Sequence, residues 1–142
     1  MRTKKVKPPP KEFEYLLTIS KEHDSIKKKD YISFKFRTTK EFLTFRYILN
    51  IEAIVTGNSI IFDIVGFRAP TGDLSAHGFA GFEYRFYDFK YTLYSVLINR
   101  KDVDSARFKF KVLRSKSNPI KPGILPKKSF IKVITNNETQ TV

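Results

Sequence analysis

Apolar side chains recur at every second position in one stretch of this chain after another, and that period decides what it can fold into. Alternate residues share one face of a strand, whereas a helix brings neighbours together about every 3.6 residues. In E-F-E-Y-L-L-T-I-S, Phe13, Tyr15, Leu17 and Ile19 share a face. In Y-I-S-F-K-F-R, Ile32, Phe34 and Phe36 oppose Ser33, Lys35 and Arg37. From Glu41 to Val55, Leu43, Phe45, Tyr47, Leu49, Ile51, Ala53 and Val55 alternate with Thr44, Arg46, Asn50 and Glu52. No amphipathic helix keeps those seven apolar side chains together. The turn T-G-N-S (56–59) leads into S-I-I-F-D-I-V-G-F, a hairpin signal. Phe82, Tyr84 and Phe86 resume the alternation, and Tyr91–Ile98, Ala106–Leu113 and S-F-I-K-V-I-T extend it.

About eight strands follow, separated by turn signals and with no ten-residue helical pattern, which points to an all-β sandwich or barrel. Apolar residues make up 41% of the 142 and aromatics 15%, enough for a core and too rich for a disordered chain. The reading is a single β-sandwich domain over 12–135. A basic tail (1–11) and a C-terminal tail (136–142) are expected to be disordered. Loops are expected at 68–78 and through S-K-S-N-P-I-K-P-G-I-L-P-K-K.

The stretch Y-T-L-Y-S-V-L-I-N-R-K-D-V-D-S-A-R-F-K-F-K-V (91–112) resembles the final hairpin of immunoglobulin-like sandwich domains. Asp88 and Tyr91 look like the corner at which a tyrosine hydroxyl bonds back to nearby backbone. The Cys and Trp of antibody domains are absent. The resemblance implies an antiparallel β-sandwich, immunoglobulin-like, with a C-terminal extension, and implies nothing about function.

Without cysteine, disulfides and thiolate metal sites are impossible. The start, M-R-T-K-K-V-K-P-P-P-K, runs into prolines instead of the apolar segment of a signal peptide. No apolar run approaches the roughly 20 residues of a membrane-spanning helix. A cytoplasmic protein is expected. The net charge of +13 is concentrated at the ends. Residues 1–40 hold twelve Lys/Arg against five Asp/Glu, residues 105–142 nine against one, and the middle is slightly acidic.

Chemistry is thinly supplied. Asp73, Ser75 and His77 are the one close Ser/His/Asp set, but three neighbours on a single loop diverge, whereas triad partners converge from separate segments. Asp73 with His77, or His23 with Asp24, supplies two ligands where a transition metal takes three or four. Asp102 and Asp104 fall short of calcium's six to eight oxygens. D-L-S-A-H-G (73–78) matches half of the signature of PilZ domains, which bind cyclic di-GMP. The paired arginines are missing, since Arg37, Arg46 and Arg68 have the wrong spacing. The expectation is a non-enzyme with no cofactor and no metal.

Three binding surfaces are suggested. Arg107, Lys109 and Lys111 share one strand face, with Lys35 and Arg37 as a second row, and a nucleic acid or other polyanion could lie along them if the rows merge. Strands 60–67 and 91–98 are apolar on both sides, which asks for cover on both. Either segment 115–134 supplies that cover, or a protein partner or second copy does, with Tyr94, Val96 and Ile98 as the interface. Phe34, Phe45, Tyr47, Phe62 and Phe86 could instead line an apolar pocket between the sheets. A protein-interaction or structural module is the leading expectation.

Overall fold

The structure is a computed structural model, and it describes residues 14–42, 48–68, 78–100, 102–126 and 129–135. The expected tails, the loop carrying Asp73, Ser75 and His77, and Phe45 and Tyr47 lie outside the described residues. Nine strands and no helix are found among those described: β1 (Tyr15–Asp24), β2 (Lys29–Phe42), β3 (Ile48–Thr56), β4 (Ser59–Arg68), β5 (Gly78–Phe86), β6 (Leu93–Arg100), β7 (Asp104–Val112), β8 (Ile120–Pro122) and β9 (Ile131–Thr135).

The strands pair in the order β8-β7-β6-β4-β3-β5-β2-β1-β9. Between β3 and β5 the connection narrows to one pairing, Ile48 with Gly81. That pinch divides the array into sheet one (β8-β7-β6-β4-β3) and sheet two (β5-β2-β1-β9), folded face to face. At the far margin β8 approaches β1 and β9.

Both sheets are mixed, which corrects the expectation of antiparallel pairing throughout. β4 runs parallel to β6, and β1 parallel to β9. The cause is connectivity. After β4 the chain crosses to sheet two for β5, so β6 returns in the direction β4 took. The Glu41–Val55 stretch, expected as one strand, is also corrected. Glu41 and Phe42 end β2 in sheet two, while Ile48 begins β3 in sheet one.

The alternation delivers the core it promised. Leu17 and Ile19 of β1, Ile32, Phe34 and Phe36 of β2, Ile60 and Phe62 of β4 and Phe110 of β7 are almost wholly buried. Aromatic rings hold the two sheets together: Phe62 lies 5.1 Å from Phe34 and 5.0 Å from Phe36, centroid to centroid, and Phe110 lies 5.8 Å from Phe34. These tilted and edge-on geometries are those aromatic pairs prefer. Phe34, Phe62 and Phe86, three of the residues that could line an apolar pocket, are buried in this core.

The C-terminal extension widens the sheets instead of covering a face. Ile120 opens β8, inside a stretch expected to be loop, and is fully buried against the edge at β7. Ile131 and Val133 enter the core from β9, beside β1. The β3–β4 hairpin turns at Gly57–Asn58, where Gly57 takes φ 59° at the first central position of a two-residue loop.

Candidate functional site

Each sheet has one outward face, and the two differ. On sheet two, Ser33 is fully buried on the outer side of β2, and its hydroxyl donates to Glu83 at 2.7 Å. Arg85 donates to the same carboxylate at 3.1 Å and lies 4.9 Å over the Tyr31 ring. Tyr87 donates to Asp24 at 2.8 Å, and that carboxylate also accepts the backbone N–H groups of Ile26 and Lys27 in the β1–β2 turn. Chiefly the Lys27 N–H, then the Tyr87 hydroxyl, hold Asp24 below the usual carboxylate range. Partial desolvation works to raise Glu83, but its bonds from Ser33 and Arg85 outweigh it and the carboxyl titrates low. The Tyr87 and Glu83 bonds keep Arg85 above its ordinary value. Within this cluster each carboxylate is bonded by groups of the same sheet or its turns.

Sheet one presents a different surface. On β7, Ala106, Phe108, Phe110 and Val112 point inward, and Ser105, Arg107, Lys109 and Lys111 point out. On β6 the outward side chains are Leu93, Ser95, Leu97 and Asn99. Register sets them in rows across the strands. Ile54, Ile61, Leu97 and Arg107 form one row, and Ser59, Ser95 and Lys109 the next. Leu93 stands beside Lys111, and Lys111 beside Lys121. Ile54 is 53% exposed and Leu93 46%, both large for apolar side chains on a sheet.

A groove of about 540 Å³ crosses this face. Ile61 and Leu97 with the serines Ser59 and Ser95 make its floor, and Arg107 and Lys109 one wall. Ile124, 89% exposed, overhangs the same wall. Its position follows from Gly123, whose N–H donates to the Lys109 carbonyl at 2.8 Å. A β-carbon at Gly123 would stand 3.0 Å from that oxygen, so a larger residue would push the segment away by a few tenths of an ångström. Among the described residues, Arg107, Lys109 and Lys111 form no ion pair.

The two basic rows do not merge. Lys35 and Arg37 sit on β2 of sheet two, and Arg107, Lys109 and Lys111 on β7 of sheet one. Phe34 and Phe110, the inward neighbours in those strands, meet in the core. The rows therefore face opposite ways. The interface residues are corrected too: Tyr94, Val96 and Ile98 are buried at 2%, 2% and 0% exposure, because the core takes that side of β6. A surface on β6 belongs to Leu93 and Leu97. Among the described residues of 115–134, Ile124 reaches the margin of that face, where Leu93 stays 46% exposed. Tyr94 also takes the role expected of Tyr91. Its hydroxyl accepts the Lys90 N–H at 2.7 Å, four residues upstream.

Tyr91 is exposed and carries the Arg114 guanidinium 4.3 Å above its ring, with Lys21 at 5.5 Å. A second hollow, about 440 Å³, opens by Tyr84, Arg85 and Lys90 at one end of the sandwich, where Arg85 is already committed to Glu83. His23 faces Asp30 at 2.7 Å rather than joining Asp24. Asp102 sits in the β6–β7 turn with φ 60°, and Asp104 binds Arg100 at 2.8 Å. Sequence reasoning missed the groove because Gly123 and Ile124 are loop, as expected, and a loop carries no period that would place it against β7. Their one signal was a glycine following an I-K-P strand fragment. No protein-family model matches the chain, and no curated protein or solved structure matches it.

Proposed function

We propose that the protein is a non-enzymatic interaction module that binds a protein partner through the outward face of sheet one. The observation that carries this is that exposed aliphatic side chains stand beside cations without an ion pair among the described residues, around one groove, while Glu83, Arg85 and Asp24 on the other sheet bind one another. Apolar side chains left in contact with water, rimmed by polar groups, are what protein-binding patches share. The immunoglobulin-like likeness bears on the β6–β7 hairpin and the buried tyrosine that opens it. The parallel β4–β6 pair departs from that plan.

Affinity capture from lysate, with and without nuclease, tests the reading. Wild-type protein and the Lys35→Glu variant are expected to retain the same nuclease-resistant protein, and Leu97→Glu to lose it. Equal retention by Leu97→Glu overturns the proposal. One observation favours a second reading, a single-stranded polyanion: Arg114 over Tyr91 lies just beyond the end of β7, adding a stacked aromatic to the row Arg107, Lys109, Lys111. On that reading the captured material is nuclease-sensitive and leaves at raised salt.

A further inference from the structure

We infer that the groove on sheet one receives an extended acidic peptide segment in which carboxylates alternate with apolar side chains. This rests on the reading above and names the occupant of the same site. The first argument is repeat length. Arg107, Lys109 and Lys111 recur at every second residue of β7, about 6.8 Å apart, which is also the same-side repeat of any extended chain. A segment laid along the outer face of β6 turns alternate side chains toward β7 and toward β4. One set meets the three cations. The other meets Ile61 and, one strand further, Ile54. A helix, with its pitch of about 5.4 Å, falls out of step with this spacing.

The second argument is charge. The cations have no carboxylate of their own among the described residues, so a bound carboxylate displaces nothing. Among the described residues, the acidic groups on the face are Glu52 and Asp63, which share a row with Asn99 and Ser105 next to the Arg107 row. They repel an acidic segment there and so set its end at the Arg107 row, where Ile61 and Leu97 lie. The third argument is the floor. Ser59 and Ser95 offer hydroxyls where the peptide backbone would pass, and Ile124 borders one side as a further exposed apolar contact. A phosphate chain would use the cations and leave the aliphatic row in water. A second copy carrying the same +13 would have to overcome its own repulsion.

Fluorescence anisotropy on the full chain tests the inference with four labelled probes. They are an alternating Leu-Glu octapeptide, the same composition in two blocks, octaglutamate and a short oligothymidylate. The alternating peptide is expected to bind about tenfold more tightly than the other three, and Leu97→Glu to weaken it about tenfold, the scale of one lost interface anchor. Gly123→Ala, which displaces Ile124, is expected to weaken it several-fold, and Lys35→Glu to leave it unchanged. Circular dichroism checks that each variant is folded. Equal affinity for octaglutamate, the block peptide or oligothymidylate overturns the inference, as does indifference to Leu97→Glu. So does a concentration-dependent dimer broken by that substitution, which would make the occupant a second copy. If no probe binds while lysate capture still depends on Leu97, the acidic occupant is wrong and the interaction reading survives. If capture is lost as well, both fall.

Discussion

The outward faces of the two sheets rest on one shared core and have been solved in opposite ways. On sheet two a cluster of polar groups binds itself. Ser33 donates to Glu83, Glu83 accepts Arg85, Arg85 covers Tyr31, and Tyr87 ties Asp24 to the end of β5. On sheet one the cations point into solvent beside leucine and isoleucine, and nothing among the described residues completes them. A face whose hydrogen bonds are satisfied from within contributes to stability. A face left incomplete contributes little to stability and is available to something else.

The largest effect should be the one that spares neither face. Phe62→Ala removes the ring that touches Phe34, Phe36 and Tyr84 at once, and should cost about 3–5 kcal/mol in a urea melt. A cost under about 1 kcal/mol would mean that the sheets do not depend on one core, and the comparison would lose its common base. Next comes Glu83→Ala. It leaves the fully buried Ser33 hydroxyl without its acceptor and takes from Arg85 the closer of its two ion pairs, at about 1–3 kcal/mol. Were Glu83→Ala neutral, sheet two's polar cluster would be decoration and the contrast would collapse.

Acid sharpens the same contrast. Asp24 and Glu83 titrate below their ordinary values in the folded chain, as does Asp30, held down first by its bond from His23. A depressed carboxylate contributes stability that is complete above its unfolded value, near 4. That contribution fades as pH falls through the lower folded value, because the unfolded chain takes up protons first. Wild-type stability should therefore decline below about pH 4, and Glu83→Gln should flatten part of that decline. Unfolding midpoints measured from pH 6 to pH 2.5 read this directly. An unchanged slope in Glu83→Gln would place the acid sensitivity elsewhere. At the alkaline end Tyr15 is raised, mainly by burial, so its contribution is lost as pH climbs past about 10.

Much of this fold was legible in the period-two alternation, because alternation records which side chains meet water and is nearly independent of strand order. Phe34, Phe36, Phe108 and Phe110 fell inward as their spacing required. Pairing partners were not legible. Whether β4 lies beside β6, and in which direction, depends on where the chain crosses between sheets, and the local pattern carries no trace of that. Nor can local pattern decide which side of a strand apolar on both sides goes inward. On β6 the core took the larger side chain, Tyr94, and left Leu93 and Leu97 outside, so the interface first read from Tyr94, Val96 and Ile98 was placed on the wrong side. The groove wall escaped for a third reason. It depends on a close backbone approach at Gly123, a contact between segments with no periodicity.

The smallest expected effect bears hardest on the comparison. Leu97 is only partly buried and lies in a row that ends in solvent at Ile54 on one side and at Arg107 on the other. Leu97→Glu should change unfolding free energy by no more than about 0.5 kcal/mol, the usual range for surface positions away from special features. The new carboxylate stands beside Arg107, and that attraction offsets part of what the lost aliphatic contact with Ile61 costs. The same substitution is expected to abolish partner capture. A folded variant of near wild-type stability that no longer binds would mark Leu97 as surface kept for recognition. A loss above about 1 kcal/mol would instead make Leu97 part of the scaffold, like Ser33 on the opposite face, and the two sheets would no longer be different in kind.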